Sequence, residues 1–178
     1  MTNPAMFTAP WDQKLTLATI ASATILLLGA ALAVWVALTV VSSGAGRAAL
    51  LFVGLLSLVA LTGSAFMAPR GYSIADGRLT ILRLVRPVQI PLASIRTVEP
   101  LSAERLAGSL RTFGSGGLFG YYGRFRNAGL GNYRMYATRG DGFVLVRAAL
   151  PYVLTPDSPD RFIETLNRGR GATGADNR

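Results

Sequence analysis

Two long uncharged stretches open the chain. No charged residue occurs from Leu15 to Gly46, and after Arg47 the run Ala48–Ala68 is again uncharged. The second run would span roughly 31 Å as a helix, which matches a hydrocarbon core of about 30 Å. Both runs are hydrophobic on every side, which is not the pattern of an amphipathic surface helix. The pattern therefore predicts two transmembrane helices, over residues 15–41 and 48–68.

The flanking charges predict the orientation of this helix pair. The connection 42–47 is short, so the two helices are expected to be antiparallel neighbours. It holds one arginine, whereas four arginines follow the second run within 18 residues, namely Arg70, Arg78, Arg83 and Arg86. The excess of positive charge predicts a multi-pass protein of the cell membrane with both termini in the cytoplasm. Residues 1–14 are then an N-terminal tail. The first run is too long for a cleaved signal core, and the absence of charge inside either run is typical of an anchor and not of an ion pathway.

Beyond Arg70 the pattern changes to short alternating segments separated by turn residues. Asp76-Gly77 and Gly140-Asp141-Gly142 are hairpin turn signals. Arg83 interrupts an apolar face and is predicted near a strand end or rim. Residues 102–110 read as a loop or one helical turn. Seven strands are predicted: Gly71–Ala75, Arg78–Arg86, Val88–Leu92, Ile95–Leu101, Leu118–Phe125, Tyr133–Arg139 and Phe143–Arg147.

A short amphipathic helix is predicted to follow the strands. Ser158 is placed as its N-cap, Pro159 as its first residue, and Gly169 as its end. Its apolar face consists of Phe162, Ile163 and Leu166. Residues 169–178 are expected to be a disordered tail. Seven strands and one helix indicate a small barrel or sandwich with the helix closing one end.

Four segments of this region resemble a known family, the bacterial pleckstrin-homology-like (PH-like) domains. They are YSIADGRLTI, IPLASI, GLFGYYGRF with GLGNYRMYATR, and YVLTPDSPDRFIETL, within residues 71–168. The resemblance implies a bent seven-stranded barrel capped by a C-terminal helix, in a family whose members often carry membrane helices. Eukaryotic relatives that bind phosphoinositides use a long basic loop between their first two strands. The connection here, Asp76-Gly77-Arg78, is too short for such a cage.

Composition excludes several kinds of chemistry. The chain has no cysteine and no histidine, which removes disulfides, thiol nucleophiles, histidine bases and the usual zinc ligands. No pair of acidic residues has a spacing that places both on one face for acid–base catalysis. We therefore expect no enzyme activity, no metal and no cofactor. The net charge of +9 is carried almost entirely by arginine.

A glycine-rich run, residues 108–139, invites comparison with a phosphate-binding loop. It lacks the helix opening and the Gly-Lys-Ser/Thr ending that such a loop needs. We interpret its glycines as structural, shaping turns and bends of the barrel: Gly117, Gly120, Gly123, Gly129 and Gly131. The arginines that flank them form one candidate basic patch for ligand or lipid contact: Arg111, Arg124, Arg126 and Arg134.

These features together predict a membrane-anchored, non-enzymatic binding or scaffold module. Its PH-like domain would lie at the cytoplasmic face of the membrane. Two alternatives stay open: an accessory subunit of a membrane complex, with a membrane protein or a peptide as partner, and peripheral binding of anionic lipid. Nucleic acid is not expected, because aromatic residues in strands usually pack in a core. The oligomeric state is left open.

Overall fold

The computed structural model of the protein describes residues 4–175. The predicted tail residues 1–3 and 176–178 lie outside the described part. The helices are α1 (Gln13–Thr39), α2 (Gly44–Met67) and α3 (Pro159–Ala175). The strands are β1 (Ala5–Thr8), β2 (Gly71–Ala75), β3 (Arg78–Leu82), β4 (Val88–Pro91), β5 (Thr97–Leu101), β6 (Leu110–Gly116), β7 (Tyr121–Asn127), β8 (Gly131–Ala137), β9 (Phe143–Arg147) and β10 (Pro151–Leu154).

Helices α1 and α2 form the expected hairpin, and each is long and apolar enough to span a membrane. Asp12 caps α1 by accepting the Leu15 N–H at 2.6 Å, and Ser43 caps α2. Small residues lie where the helices meet: a Cβ added to Gly54 would be only 3.5 Å from the Ala30 carbonyl. This close approach lets the two backbones pack without large side chains between them.

Strand β1 lies in the segment where the sequence predicts only a tail. It pairs antiparallel with β2, with Phe7 opposite Tyr72. Phe7 is buried, and its ring packs edge-on against Phe162 of α3 at a centroid distance of 5.0 Å. A strand of four residues is too short for an alternation of apolar and polar residues to be recognised in the sequence. As a consequence the helix hairpin is an insertion between two neighbouring strands of one sheet.

The strands form two sheets, so the expectation of a closed seven-stranded barrel is wrong. One sheet has the order β1-β2-β3-β4 and the other β5-β9-β10-β8-β7-β6. All pairs are antiparallel except β10 with β8. The predicted strand over residues 78–86 stops at Leu82, and Arg86 takes a positive φ. Strand β4 ends at Pro91, which cannot donate to a further ladder. The chain therefore leaves the first sheet here and begins a second one.

Two strands of the second sheet were not predicted from the sequence pattern. Strand β6 is rich in glycine, and β10 has four residues of which the first is Pro151. Glycine and proline are uncommon in strands, so neither segment has the residue pattern that predicts one. Residues 102–110 contain the predicted helical turn, at Ala103–Leu106.

The main core lies between the two sheets and α3. Phe162 and Leu166 of α3 are fully buried against Tyr72 and Val144, as the predicted apolar face requires. Helix α3 continues past Gly169 to Ala175, so the helix is longer and the tail shorter than predicted. A second cluster covers the other face of the six-stranded sheet, where the Phe125 and Tyr133 rings stack at 5.7 Å.

Candidate basic groove at the base of the helix hairpin

The glycine-rich loop between β6 and β7 packs against α1. The Thr19 hydroxyl donates to the Gly117 carbonyl at 3.1 Å and accepts the Phe119 N–H at 3.1 Å. Thr19 is buried, although it lies on a helix whose large side chains are mostly exposed. Near the end of β6, the Ser115 hydroxyl donates to the Leu118 carbonyl and accepts the Leu118 N–H, which closes the loop. The loop is thus a docking element between the domain and the hairpin.

Further contacts join the domain to both helices at the same end of the hairpin. The Tyr122 hydroxyl donates to the Ser64 carbonyl in the last turn of α2, at 2.8 Å. The second carboxylate oxygen of Asp12 accepts the Gly140 N–H at 2.8 Å, while the first caps α1. The Thr138 hydroxyl donates to the Pro10 carbonyl at 2.8 Å. These bonds fix the orientation of the domain relative to the base of the hairpin.

Two glycines allow β6 and β7 to approach unusually closely. Gly114 pairs with Gly123, and both have positive φ, 113° and 122°. A Cβ at Gly114 would lie 2.0 Å from the Tyr122 carbonyl oxygen, and one at Gly123 would lie 2.1 Å from that of Phe113. The register shifts beside this pair, between Arg111 and Phe113, as in a β-bulge.

The other glycines predicted to be structural lie in the loop after β6 and in the turn before β8. Gly117, Gly120 and Gly131 have positive φ, and Gly129 is not among the residues that do. A Cβ added at Gly129 would be 3.9 Å from the Asn127 side chain, and one added at Gly131 would have no atom within 4 Å. Among these glycines the tightest packing is therefore at the Gly114–Gly123 pair, followed by Gly120, where an added Cβ would lie 3.2 Å from the Ala137 carbonyl oxygen. Gly131 provides a backbone conformation for its turn.

A groove of about 250 Å³ opens beside this glycine pair, between the two sheets. Arg124 of β7 and Arg134 of β8 are directly opposite each other in register and so project from the same face. Arg83, from the loop after β3, lines the opposite side. The apolar part of the wall includes Met67, the last residue of α2, and the exposed ring of Phe113. We call this site the basic groove.

Arg83 is held in place on its side of the basic groove. Its guanidinium lies 5.7 Å from the centre of the Tyr136 ring, and its Nε donates to the Arg86 carbonyl at 3.1 Å. Tyr136 in turn is anchored through its carbonyl, which accepts the Tyr72 hydroxyl at 2.7 Å. Burial raises the pKa of Tyr72 to about 12, so this hydroxyl remains a donor at physiological pH.

The positive charge of the basic groove has no acidic partner within residues 4–175. No acidic side chain lines the groove, and none of its three arginines forms an ion pair in the described part of the chain. Glu99, on β5 at the opposite edge of the six-stranded sheet, contacts Arg105 and Arg147. Guanidinium groups stay protonated in proteins and match the geometry of phosphate or carboxylate. The groove is therefore chemically suited to an anion.

Only two of the four arginines in the predicted basic patch line the basic groove. Arg124 and Arg134 enter the basic groove, whereas Arg126 is exposed on the same strand but outside its lining. Arg111 pairs with Phe125, on the other face of the sheet, and its side chain lies against Gly116. Arg83 was not among the predicted contacts. The available signal was its interruption of an apolar strand face, which predicted a position near a strand end or rim, and Arg83 indeed follows the last residue of β3.

A second hollow of about 380 Å³ shares Arg124 and Arg134 with the basic groove. It is lined further by residues such as Thr112, Asn132 and Leu150. It includes neither Arg83 nor any residue of the hairpin. Among the residues described, no group of three or more acidic, histidine or cysteine residues could hold a metal ion. The basic groove is thus the site where cationic groups of β7, β8 and the loop after β3 meet the hairpin.

Comparison with known proteins identifies the family to which the β-rich part of the chain is similar. A family model described as Bacterial PH domain matches residues 70–169. Searches among curated proteins and among solved structures gave no match. The matched segment begins just after α2 and ends within α3, so it includes β2 through β10 but not β1 or the hairpin. Because this segment is 100 of the 178 residues, more than half, the chain belongs to the bacterial PH domain family.

Proposed function

We propose that the protein is a membrane-anchored, non-enzymatic binding module that holds a PH domain against the cytoplasmic face of the cell membrane. The observation that carries this proposal is the insertion of the hairpin between β1 and β2, with hydrogen bonds from the domain to both helices. A flexible tether would leave the domain free to rotate. Here Thr19 and Tyr122 fix it at the base of the helices.

The exposure of the helices supports a lipid environment. Only 17% of the most apolar window of α1 and 6% of that of α2 is buried, whereas the core helix of a soluble protein would be mostly buried. The exposed side chains include Leu28, Trp35 and Phe52. In water this would be an apolar surface far larger than soluble monomers expose. Trp11 lies partly exposed at the base of the hairpin, the place where tryptophans concentrate at membrane surfaces.

The distribution of charge supports the cytoplasmic orientation. Arg47 donates to the Ala37 carbonyl in the last turn of α1 and to the Val41 carbonyl just after it. The domain carries 16 arginines and 8 acids from Arg70 onward, by count along the sequence. Positive charge favours the cytoplasmic side, and two spans place both ends of the chain there. The proposal that the module is not an enzyme rests on two features of the sequence. It has no cysteine or histidine, and no pair of its acidic residues is spaced for acid–base catalysis.

Cysteine accessibility tests this arrangement cleanly, because the natural chain has no cysteine. Ser42→Cys introduces a thiol in the exposed hairpin loop, and Ala128→Cys one in the exposed turn between β7 and β8. In intact spheroplasts a membrane-impermeant maleimide is expected to label Ser42→Cys only, and lysis is expected to expose Ala128→Cys. Both variants should stay in the membrane pellet after alkaline carbonate extraction. Release by carbonate, or labelling of Ala128→Cys in intact spheroplasts, would refute the proposal.

A further inference from the structure

We infer that the basic groove binds the phosphate group of an anionic phospholipid, with Arg83, Arg124 and Arg134 as its ligands. The inference rests on the proposed function, because it requires the base of the hairpin to lie at the membrane surface. It differs from the head-group cage of eukaryotic PH domains, which uses the connection between the first two strands. In this structure the first two strands, β1 and β2, are joined by the apolar helix hairpin, and the arginines of the groove lie on β7, on β8 and in the loop after β3.

The charge arrangement is the first argument. Arg124 and Arg134 are directly opposite on adjacent strands, where like charges repel each other and destabilise the sheet. Arg83 adds a third positive charge from the loop after β3, and no acid lines the groove. An anion held between these arginines would attract all three and would so offset the repulsion between them. Arg83 is already oriented by the Tyr136 ring and by the Arg86 carbonyl, so little side-chain entropy is lost on binding.

The location of the groove selects a lipid as the source of the phosphate. Met67 ends α2 and forms part of the groove wall, and Tyr122, another lining residue, bonds to the α2 carbonyl of Ser64. The groove therefore lies at the depth where α2 leaves the hydrocarbon, which is the depth of phospholipid head groups. Phe113, which is 67% exposed at the same wall, offers an apolar surface to the adjoining glycerol and acyl groups. The volume, about 250 Å³, is below that of most drug-sized sites and suits one head group.

The experiment uses the full chain in detergent micelles with a fluorescent phosphatidic acid as the probe. Phosphatidylcholine is the zwitterionic probe. The test variant is Arg124→Gln with Arg134→Gln, and the matched control is Arg111→Gln with Arg126→Gln, which removes the same charge outside the groove. Each charged hydrogen bond partner lost is expected to weaken binding about tenfold. The test variant should therefore bind phosphatidic acid about 100-fold more weakly, while the control variant binds it almost as the natural chain does.

A further variant, Arg83→Gln, is expected to lose about tenfold in affinity, although it lies in the loop after β3 and not on the strands that carry Arg124 and Arg134. Thermal unfolding of every variant accompanies the titrations. The test variant should unfold at the same temperature as the natural chain or slightly higher, because it removes the repulsion between Arg124 and Arg134. A loss of affinity therefore cannot be ascribed to misfolding if this result is obtained.

Several outcomes would overturn the inference. Equal losses in the test and control variants would assign binding to general surface charge, and no loss in either would place the lipid elsewhere. Arginine-dependent binding of inorganic phosphate or of an acidic peptide, without such binding of phosphatidic acid, would assign the groove to a different ligand. Carbonate extraction of the same variants separates the two proposals. A chain that stays in the membrane but shows no dependence on the groove arginines overturns the groove alone, whereas a chain released by carbonate overturns the anchor.

Discussion

Gly114 and Gly123 face each other across β6 and β7 with no space for a side chain at either position. Their neighbours on the opposite strand are backbone carbonyls, which cannot move aside as the end of a long side chain can. Their positive φ values also lie where only glycine is stable without strain. The pair therefore shapes the edge of the six-stranded sheet that borders the basic groove.

Gly123→Ala is expected to destabilise the chain by at least about 3 kcal/mol, because it adds backbone strain and a clash with the Phe113 carbonyl. For a chain of this size that corresponds to a fall in melting temperature of roughly 6–12 °C in detergent. Gly129→Ala is the matched control, since its Cβ would be 3.9 Å from the nearest atom. Equal melting temperatures for the two variants would contradict this account of the glycine pair.

Tyr72 of β2 is linked to β8 and to the residue after β10 through one buried hydroxyl. The hydroxyl donates to the Tyr136 carbonyl and accepts the Thr155 N–H at 3.1 Å. Tyr72→Phe leaves both backbone groups without this partner and should cost about 1–3 kcal/mol near neutral pH. Thermal or denaturant unfolding of the two chains side by side measures the difference.

The same pair of chains gives a pH test. Burial raises the pKa of Tyr72 to about 12 in the folded state, from 10.0. Its contribution to stability is therefore complete below pH 10 and falls as the pH rises toward 12, because only the unfolded state ionises in that window. The stability advantage of the natural chain over Tyr72→Phe should shrink across this range. Parallel pH profiles would show that the hydroxyl is not buried in this way.

At the scale of the elements, the loop between β6 and β7 is the part of the domain that contacts α1 through Thr19. Thr19→Val keeps the shape of the side chain but leaves the Gly117 carbonyl and the Phe119 N–H without their partner. Hydrogen exchange at Phe119 should become about tenfold faster or more, corresponding to a loss of about 1–3 kcal/mol.

Thr62→Val provides the control for this measurement. The Thr62 hydroxyl bonds only to the Leu58 and Val59 carbonyls of its own helix, so its loss should leave exchange at Phe119 unchanged. If Thr19→Val also leaves Phe119 protected, the loop is held by other contacts and its docking through Thr19 is refuted.

At the scale of the whole molecule, the PH domain is not continuous in sequence. The matched family segment starts at residue 70, yet β1 completes the first sheet from residues that precede the hairpin. Phe7 contributes to the main core, and the Thr8 hydroxyl donates to Asp157 at 2.9 Å. A fragment that begins at Arg70 therefore lacks part of its own core.

The fragment 70–178 is expected to be less stable than a chain in which residues 4–12 are joined to residues 68–178 by a flexible Gly/Ser linker. Loss of one buried phenylalanine alone costs about 3–5 kcal/mol, and the strand pairing of β1 is lost as well. Chemical denaturation of the two soluble chains measures the difference. Phe7→Ala in the linked chain should remove most of the gain. Equal stability of the fragment and the linked chain would show that β1 is dispensable.

Much of this architecture could be predicted because its signals are local. The helix hairpin follows from two uncharged runs, and the packing face of α3 follows from the spacing of Phe162 and Leu166. Closure of the barrel could not be judged in this way, because strand pairing depends on distant segments. The short strands β1 and β10 and the glycine-rich β6 are stabilised by their neighbours more than by their own composition.

The sequence by itself determined the hairpin, the alternation of the strands, the family and the chemistry that its residue types exclude, because each depends on residue type over short distances. Only the tertiary structure decided that β1 joins the domain, that the strands form two sheets, and that Arg124 and Arg134 meet Arg83 while Arg111 and Arg126 do not. Register and the bulge between Arg111 and Phe113 determine on which face each arginine lies. The physical reason is that a groove is formed by residues that are distant in the chain, whose positions are fixed only when the sheets and the helix hairpin pack together.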